Sequence, residues 1–105
     1  MKRIIHHDEG SLLNVMTLIM DRSDNTEPHY NKERDEVIFV IDGSLKILLD
    51  FEKTITLTST DKVPWYLIKA NTTHQIIPLT DKVEILEVIG GFHKQDSCII
   101  TKLKI

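Results

Sequence analysis

Two histidines and one glutamate are the residues of this sequence best suited to holding a metal ion. His29 and Asn31 lie two positions apart, so on a β-strand their side chains point to the same face. Glu36 stands at the start of an apolar segment, where a carboxylate is costly to bury unless it meets a cation, a hydrogen-bond donor or water. His74 begins another apolar segment. Two imidazoles and a carboxylate match the ligand set of a facial triad, which suits iron(II), manganese, nickel or zinc, and Asn31 can add only a weak amide oxygen.

The segments that carry these residues have the pattern of short β-strands. Residues 37–41 are β-branched and aromatic and end at Asp42-Gly43, a pair typical of tight turns, so a hairpin with the alternating residues 44–49 is predicted. Further segments of this kind, each bounded by turn residues, cover residues 54–58, 65–68, 74–77 and 83–89. Strands at this spacing indicate a β-sandwich or barrel. Because inward positions alternate along every strand, closure of a barrel brings the four candidate ligands together.

The segment at residues 12–20 is compatible with either a helix or a strand. Leu12, Val15, Met16 and Ile19 have the spacing of one apolar helix face. The β-branched content of this segment and the lack of a clear helix cap before it favour a strand. We therefore predict that the all-β pattern begins here.

Glu87 is the candidate for moving a proton. It shares strand parity with Val83, Ile85 and Ile89, which allows an inward orientation, and a position at the rim of the sheet is the alternative. Inside a pocket, desolvation would raise its pKa and suit it to proton transfer. Trp65, which follows a proline before an apolar pair, is predicted to pack in the core or to form a pocket wall.

The spacing of the first group of candidate ligands resembles the first motif of the cupin family. In that motif His-x-His is followed by three or four residues, a Glu, six residues and a Gly, and His29, Asn31, Glu36 and Gly43 fall at these positions. The departure is Asn31, which stands where the family has its second histidine. Any metal site here is therefore expected to bind more weakly than one with three histidines.

The second cupin motif is matched at fewer positions. It reads Pro-x-Gly, two residues, His, three residues, Asn, and His74 keeps its place. Lys69 stands at the proline, Asn71 at the glycine and Pro78 at the final asparagine. Asn71 is physically tolerable at a glycine turn, because asparagine adopts the left-handed conformation more easily than other residues.

Among cupins, the sequence looks most like the WbuC-type cupin-fold metalloproteins found with surface-polysaccharide biosynthesis, and distantly like the sugar-nucleotide 3,4-ketoisomerases. The resemblance implies an all-β, single-domain cupin barrel over residues 1–105, a jelly-roll-like double-stranded β-helix. Its core would cover residues 12–91. The alternation within residues 97–105 separately predicts an edge strand, whose lysines discourage edge pairing. The resemblance also implies a homodimer with a divalent metal ion in the mouth of each barrel.

Three functions remain open from the sequence. The resemblance implies a metal-binding cupin that acts on a sugar or sugar-nucleotide intermediate, with His29, Glu36 and His74 as ligands, Asn31 as an auxiliary ligand and Glu87 as acid or base. A noncatalytic module that binds a small molecule without metal is the alternative, which Asn31 favours. An oxygen-using or isomerising enzyme is the third. Whether the protein is an enzyme is not decided at this level.

Composition excludes some partners. The formal charge of −3 argues against nucleic acid, whose binding requires a clustered basic face. No apolar run has the length of a secretory signal or a membrane span, so a cytoplasmic protein is expected. Cys98 is the single cysteine, which rules out an internal disulfide, and its apolar neighbours predict a buried side chain.

Overall fold

The computed structural model describes residues 1–10 and 12–90, which form two antiparallel β-sheets. The expected edge strand at 97–105 and Cys98 lie outside the described residues. The described strands are β1 (Lys2–Asp8), β2 (Leu13–Asp21), β3 (Asp35–Asp42), β4 (Ser44–Leu49), β5 (Lys53–Thr58), β6 (Trp65–Ile68), β7 (His74–Pro78) and β8 (Lys82–Gly90). No helix long and apolar enough to cross a membrane occurs within these described ranges.

The two sheets pack face to face around the hydrophobic core. One has five strands in the order β1-β2-β8-β3-β6, and the other has three in the order β5-β4-β7. Both sheets contribute fully buried aliphatic side chains, including Leu18, Ile38 and Ile85 from the larger sheet and Ile47 and Ile76 from the smaller. The all-β fold is therefore confirmed. The sheets are hydrogen-bonded separately, so the architecture is a two-sheet sandwich rather than a closed ring of strands.

The predicted hairpin at Asp42-Gly43 is wrong. β3 pairs with β6 and β8, whereas β4 pairs with β5 and β7, so the chain crosses here from one sheet to the other. Gly43 has a φ of 85°, and a Cβ on it would lie 2.3 Å from the carbonyl oxygen of Lys82. The glycine thus permits a close backbone approach at the crossover, and a tight-turn pair alone cannot distinguish this connection from a hairpin.

Replacing Gly43 by alanine is expected to destabilise the protein by about 3 kcal/mol or more, because left-handed strain adds to a clash with backbone. Gly10→Ala is a matched control: Gly10 has a φ of 63°, but no atom lies within 4 Å of its added Cβ. The control is expected to lose only about 1 kcal/mol from strain. Urea unfolding of both variants measures the difference, and equal losses would contradict the close-approach explanation.

Three local expectations can be compared with the strands. The preference for strand over helix at residues 12–20 is confirmed by β2. β1 lies before the expected core range of 12–91 and was not predicted, because its side chains are exposed along its whole length. Trp65 is 44% exposed at the start of β6, so its predicted core position is wrong. Its place on an edge strand, opposite the exposed Phe39 of β3, explains this exposure.

Candidate metal centre

His29 and His74 are held side by side by backbone hydrogen bonds. The His29 amide donates to the His74 carbonyl at 3.0 Å, and the His74 amide donates to the His29 carbonyl at 2.8 Å. The segment before His29 continues along β7, since the Thr26 amide donates to the Ile76 carbonyl at 3.2 Å. Directly opposed residues of an antiparallel pair have side chains on the same face. The two imidazole centroids consequently lie 4.2 Å apart.

Glu36 reaches the same point from the opposite sheet. It lies at the start of β3, opposite Ile89 of β8 and Ile68 of β6, and only 2% of its surface is exposed. One ligand atom from each of His29, Glu36 and His74 can be chosen so that all three lie within 4.8 Å of one another. The fold thus brings together the three residues predicted as metal ligands.

Both imidazoles are oriented by backbone carbonyls. Nδ1 of His29 lies 2.9 Å from the carbonyl oxygen of Glu27, and Nδ1 of His74 lies 3.0 Å from that of Thr72. A carbonyl oxygen can only accept, so these contacts select the tautomer in which Nδ1 carries the proton and Nε2 has a free lone pair. This is the arrangement that fixes a metal-binding histidine in proteins.

The carboxylate oxygen of Glu36 and the imidazole nitrogen of His74 are placed as two ligands of one cation would be. Glu36 Oε2 and His74 Nε2 are buried and have no hydrogen-bond partner among the described residues, although they lie 3.4 Å apart. Each buried polar atom left without a partner costs about 1 to 3 kcal/mol. Ligand atoms at about 2.0 to 2.2 Å from one ion lie roughly 3.0 to 3.5 Å apart, so the observed separation suits two ligands of a shared metal.

Asn31 lies beside the triad but presents its amide nitrogen. Nδ2 of Asn31 is 3.4 Å from Glu36 Oε1, a long hydrogen bond that steadies the carboxylate. The Asn31 carbonyl accepts a 2.7 Å hydrogen bond from the amide of Asn71, whose φ of 67° confirms the left-handed turn predicted for it. Rotation of the Asn31 amide would present its oxygen instead, so its role as an auxiliary ligand stays a prediction.

The charges around His74 favour its protonated form in the metal-free site. Burial lowers its pKa, but the contact with Glu36, the Thr72 carbonyl and the negative charges of Glu36 and Glu87 together outweigh burial and raise the pKa above the ordinary value of 6.5. A metal ion must therefore displace a proton from His74. Metal binding at this site is expected to weaken as the pH falls.

Glu87 faces inward, which is the first of the two orientations predicted for it. It lies on β8 opposite Met16 and Ile38, is 8% exposed and lines the same pocket as Glu36. Burial, reinforced by the negative charge of Glu36, raises the pKa of Glu87 from 4.5 to about 8, against smaller opposing effects of Arg3 and His74. In the metal-free protein its carboxyl group therefore holds a proton more tightly than an exposed glutamate does.

Glu87→Gln is expected to make the metal-free protein more stable at high pH. The raised pKa means that the folded state binds the Glu87 proton more tightly than the unfolded state does, so its contribution is present below pH 4.5 and is lost as the pH rises toward 8. Since one pKa unit is worth about 1.4 kcal/mol, the advantage of the neutral amide should grow by up to roughly 4 kcal/mol between pH 5 and 8.5. Urea unfolding with chelator present measures it, with Glu84→Gln as control; a constant difference would contradict the buried acid.

His29 and Glu36 border a pocket of about 560 Å³ between the five-stranded sheet and residues 25–31. This volume is in the range of small-molecule sites. His29, Asn31, Glu36 and Glu87 line it, together with Arg3, which sequence reasoning did not identify. Lys2 and Arg3 are adjacent cations in the sequence, and no local pattern distinguishes the one that lines the pocket.

Two facing antiparallel sheets of this connectivity form the cupin fold, the double-stranded β-helix, and this chain adds a His-Glu-His cluster at one end of its sheets. The chain has this fold. No family model and no curated protein matches the sequence.

The chain is similar in structure to several solved proteins. KdgF from a Halomonas species superimposes with a TM-score of 0.70 and 18% identity, covering 83% of this chain and 76% of that one. A cupin-2 domain protein from Shewanella frigidimarina gives 0.67 and 17%, covering 83% and 78%. An RmlC-like cupin from Methanocaldococcus jannaschii gives 0.70 and 12%, covering 90% and 84%.

Proposed function

We propose that this chain is a metal-binding cupin of the WbuC type that acts on a sugar or sugar-nucleotide intermediate of surface-polysaccharide biosynthesis. Metal binding is supported by two buried polar atoms, Glu36 Oε2 and His74 Nε2, which have no hydrogen-bond partner in the described part of the chain and lie beside His29. The WbuC type, the sugar substrate and the pathway rest on the sequence resemblance.

A divalent ion held by His29, Glu36 and His74 would supply Lewis acidity toward a carbonyl or hydroxyl oxygen of the substrate. The chain's own residues supply the rest. The Glu27 and Thr72 carbonyls hold the two imidazoles in the ligating tautomer. Asn31 steadies the Glu36 carboxylate, and the buried Glu87 carboxyl donates or accepts a proton at the pocket wall.

A noncatalytic cupin that binds a small molecule without metal is the second candidate. Asn31 favours this candidate, because its side chain directs an N–H donor at Glu36 and does not present an oxygen lone pair to a metal ion. In that case a proton on His74 would replace the cation beside Glu36, as the raised pKa of His74 permits. The two candidates differ in whether purified protein retains a stoichiometric metal.

Elemental analysis of untagged protein, purified without chelators, tests the proposal. Near-stoichiometric iron, manganese, nickel or zinc is expected, and metal-loaded protein should then bind sugar nucleotides in a calorimetric screen. If no metal is retained even after reconstitution with each of the four ions, the metal-binding proposal is wrong and the binding module is the better account.

The homodimer implied by the resemblance stays a prediction, which sedimentation equilibrium checks.

A further inference from the structure

We propose that Arg3 binds an anionic group, a carboxylate or a phosphate, of the molecule whose oxygen atoms meet the metal centre. This inference rests on the proposed function and specifies its substrate class. It concerns a residue on β1, outside both cupin motifs, that lines the same pocket as the candidate ligands His29 and Glu36.

The strand register directs Arg3 toward the pocket. Arg3 lies opposite Leu18 of β2, which belongs to the core and also lines the pocket. Successive residues of a strand point to opposite faces, so Lys2, its neighbour, is directed to the outer face of the sheet, opposite Ile19. Of the two adjacent cations, only Arg3 lines the pocket.

The N–H groups of the Arg3 guanidinium are available to a ligand. Among the described residues it makes no hydrogen bond or ion pair, and its electrostatic partner within the protein is Glu87, whose pKa it lowers. The other cation of the pocket lining, the amino group of Met1, is already paired with Asp24 at 3.3 Å. Five N–H groups in a planar fork are therefore free to bind a carboxylate or phosphate in a bidentate manner.

The two ends of the pocket define the shape of the ligand. β1 and β3 are separated by β2 and β8, which places Arg3 about 14 Å of backbone spacing from the strand that carries Glu36. Between them the wall is formed by the apolar side chains of Met16, Leu18 and Ile89 and by the carboxyl group of Glu87. A monosaccharide-sized molecule matches this arrangement if an oxygen atom at one end can bind the metal and an anionic group at the other can bind Arg3. A neutral sugar would leave Arg3 without a partner.

Calorimetry with three sugars tests the inference. Glucose, glucuronate and glucose 1-phosphate would be titrated into manganese-loaded and metal-free protein lacking an N-terminal tag. We expect at least one anionic sugar to bind about tenfold or more tightly than glucose, and the stronger of the two identifies the group as carboxylate or phosphate. Arg3→Gln should remove this preference and Arg3→Lys should keep part of it, whereas the matched control Lys2→Gln should not change it.

Two outcomes would overturn the role of Arg3. One is a preference for the anionic sugar that persists in Arg3→Gln, and the other is no binding of either anion up to about 10 mM. Metal content is measured on the same samples, so failure to bind metal counts against the proposed function alone. The anion preference of the metal-free protein still decides whether Arg3 is the anion-binding group.

Discussion

Metal affinity is expected to fall at least about a thousandfold when His74 is replaced by alanine. His74 is 1% exposed, and its Nε2 lies 3.4 Å from Glu36 Oε2, so alanine removes the central member of the triad. The two remaining ligands, of which His29 is exposed, cannot complete a facial set. Competition with a chromophoric chelator measures the affinity of each purified variant.

Two further variants separate ligand loss from loss of folding. Glu36→Gln keeps the size of the buried side chain and the contact with Asn31 while removing the charge, so it should weaken metal binding with a smaller effect on packing. His6→Ala removes an exposed imidazole that bonds to Thr17 on β2, and it should leave metal affinity unchanged. If His74→Ala or Glu36→Gln folds and retains wild-type metal affinity, the centre is not where we place it.

The pH dependence of the wild type gives an independent check on His74. Its pKa is raised, so the folded metal-free protein gains stability from the proton below pH 6.5 and loses that gain as the pH rises through the folded pKa. Metal and proton compete for the same Nε2. Affinity should therefore rise with pH until His74 is fully deprotonated and then level off.

The ligand cluster was predictable from sequence because its parts are local patterns. His29 and Glu36 are fixed by one motif, and His74 begins a strand whose turn is marked by Asn71. A bridge to β7 joins His29 to His74, and the start of β3 brings Glu36 to them from the other sheet.

Other features depend on tertiary context that local patterns do not contain. The Asp42-Gly43 pair specifies a sharp change of direction, but the contact with Lys82 decides that the chain changes sheets. β1 has no buried side chain, so the apolar alternation that reveals a strand is weak there, and Arg3 was overlooked with it. Asp35, which is buried and accepts a 2.8 Å hydrogen bond from the amide of Ala70, likewise has no sequence signal.

Asn31→His is expected to increase metal affinity by roughly 100- to 1000-fold. Asn31 is partly buried at the edge of the pocket, and its amide already lies 3.4 Å from Glu36 Oε1. An imidazole at this position would add a neutral nitrogen ligand to a centre that has only three strong donors. Cobalt(II) titration followed by visible absorption reports both the affinity and the change in ligand field.

Asn31→Ala is the matched control, because it removes the amide without adding a ligand. It should change metal affinity by less than about tenfold if Asn31 only steadies Glu36, and by more if the amide oxygen is itself a ligand. Both variants keep the hydrogen bond from the Asn71 amide, which uses the backbone carbonyl of residue 31, so the loop should retain its conformation. A folded Asn31→His variant with wild-type affinity would mean that this side chain is not directed at the ion, and the match between Asn31 and the second histidine of the cupin motif would be wrong.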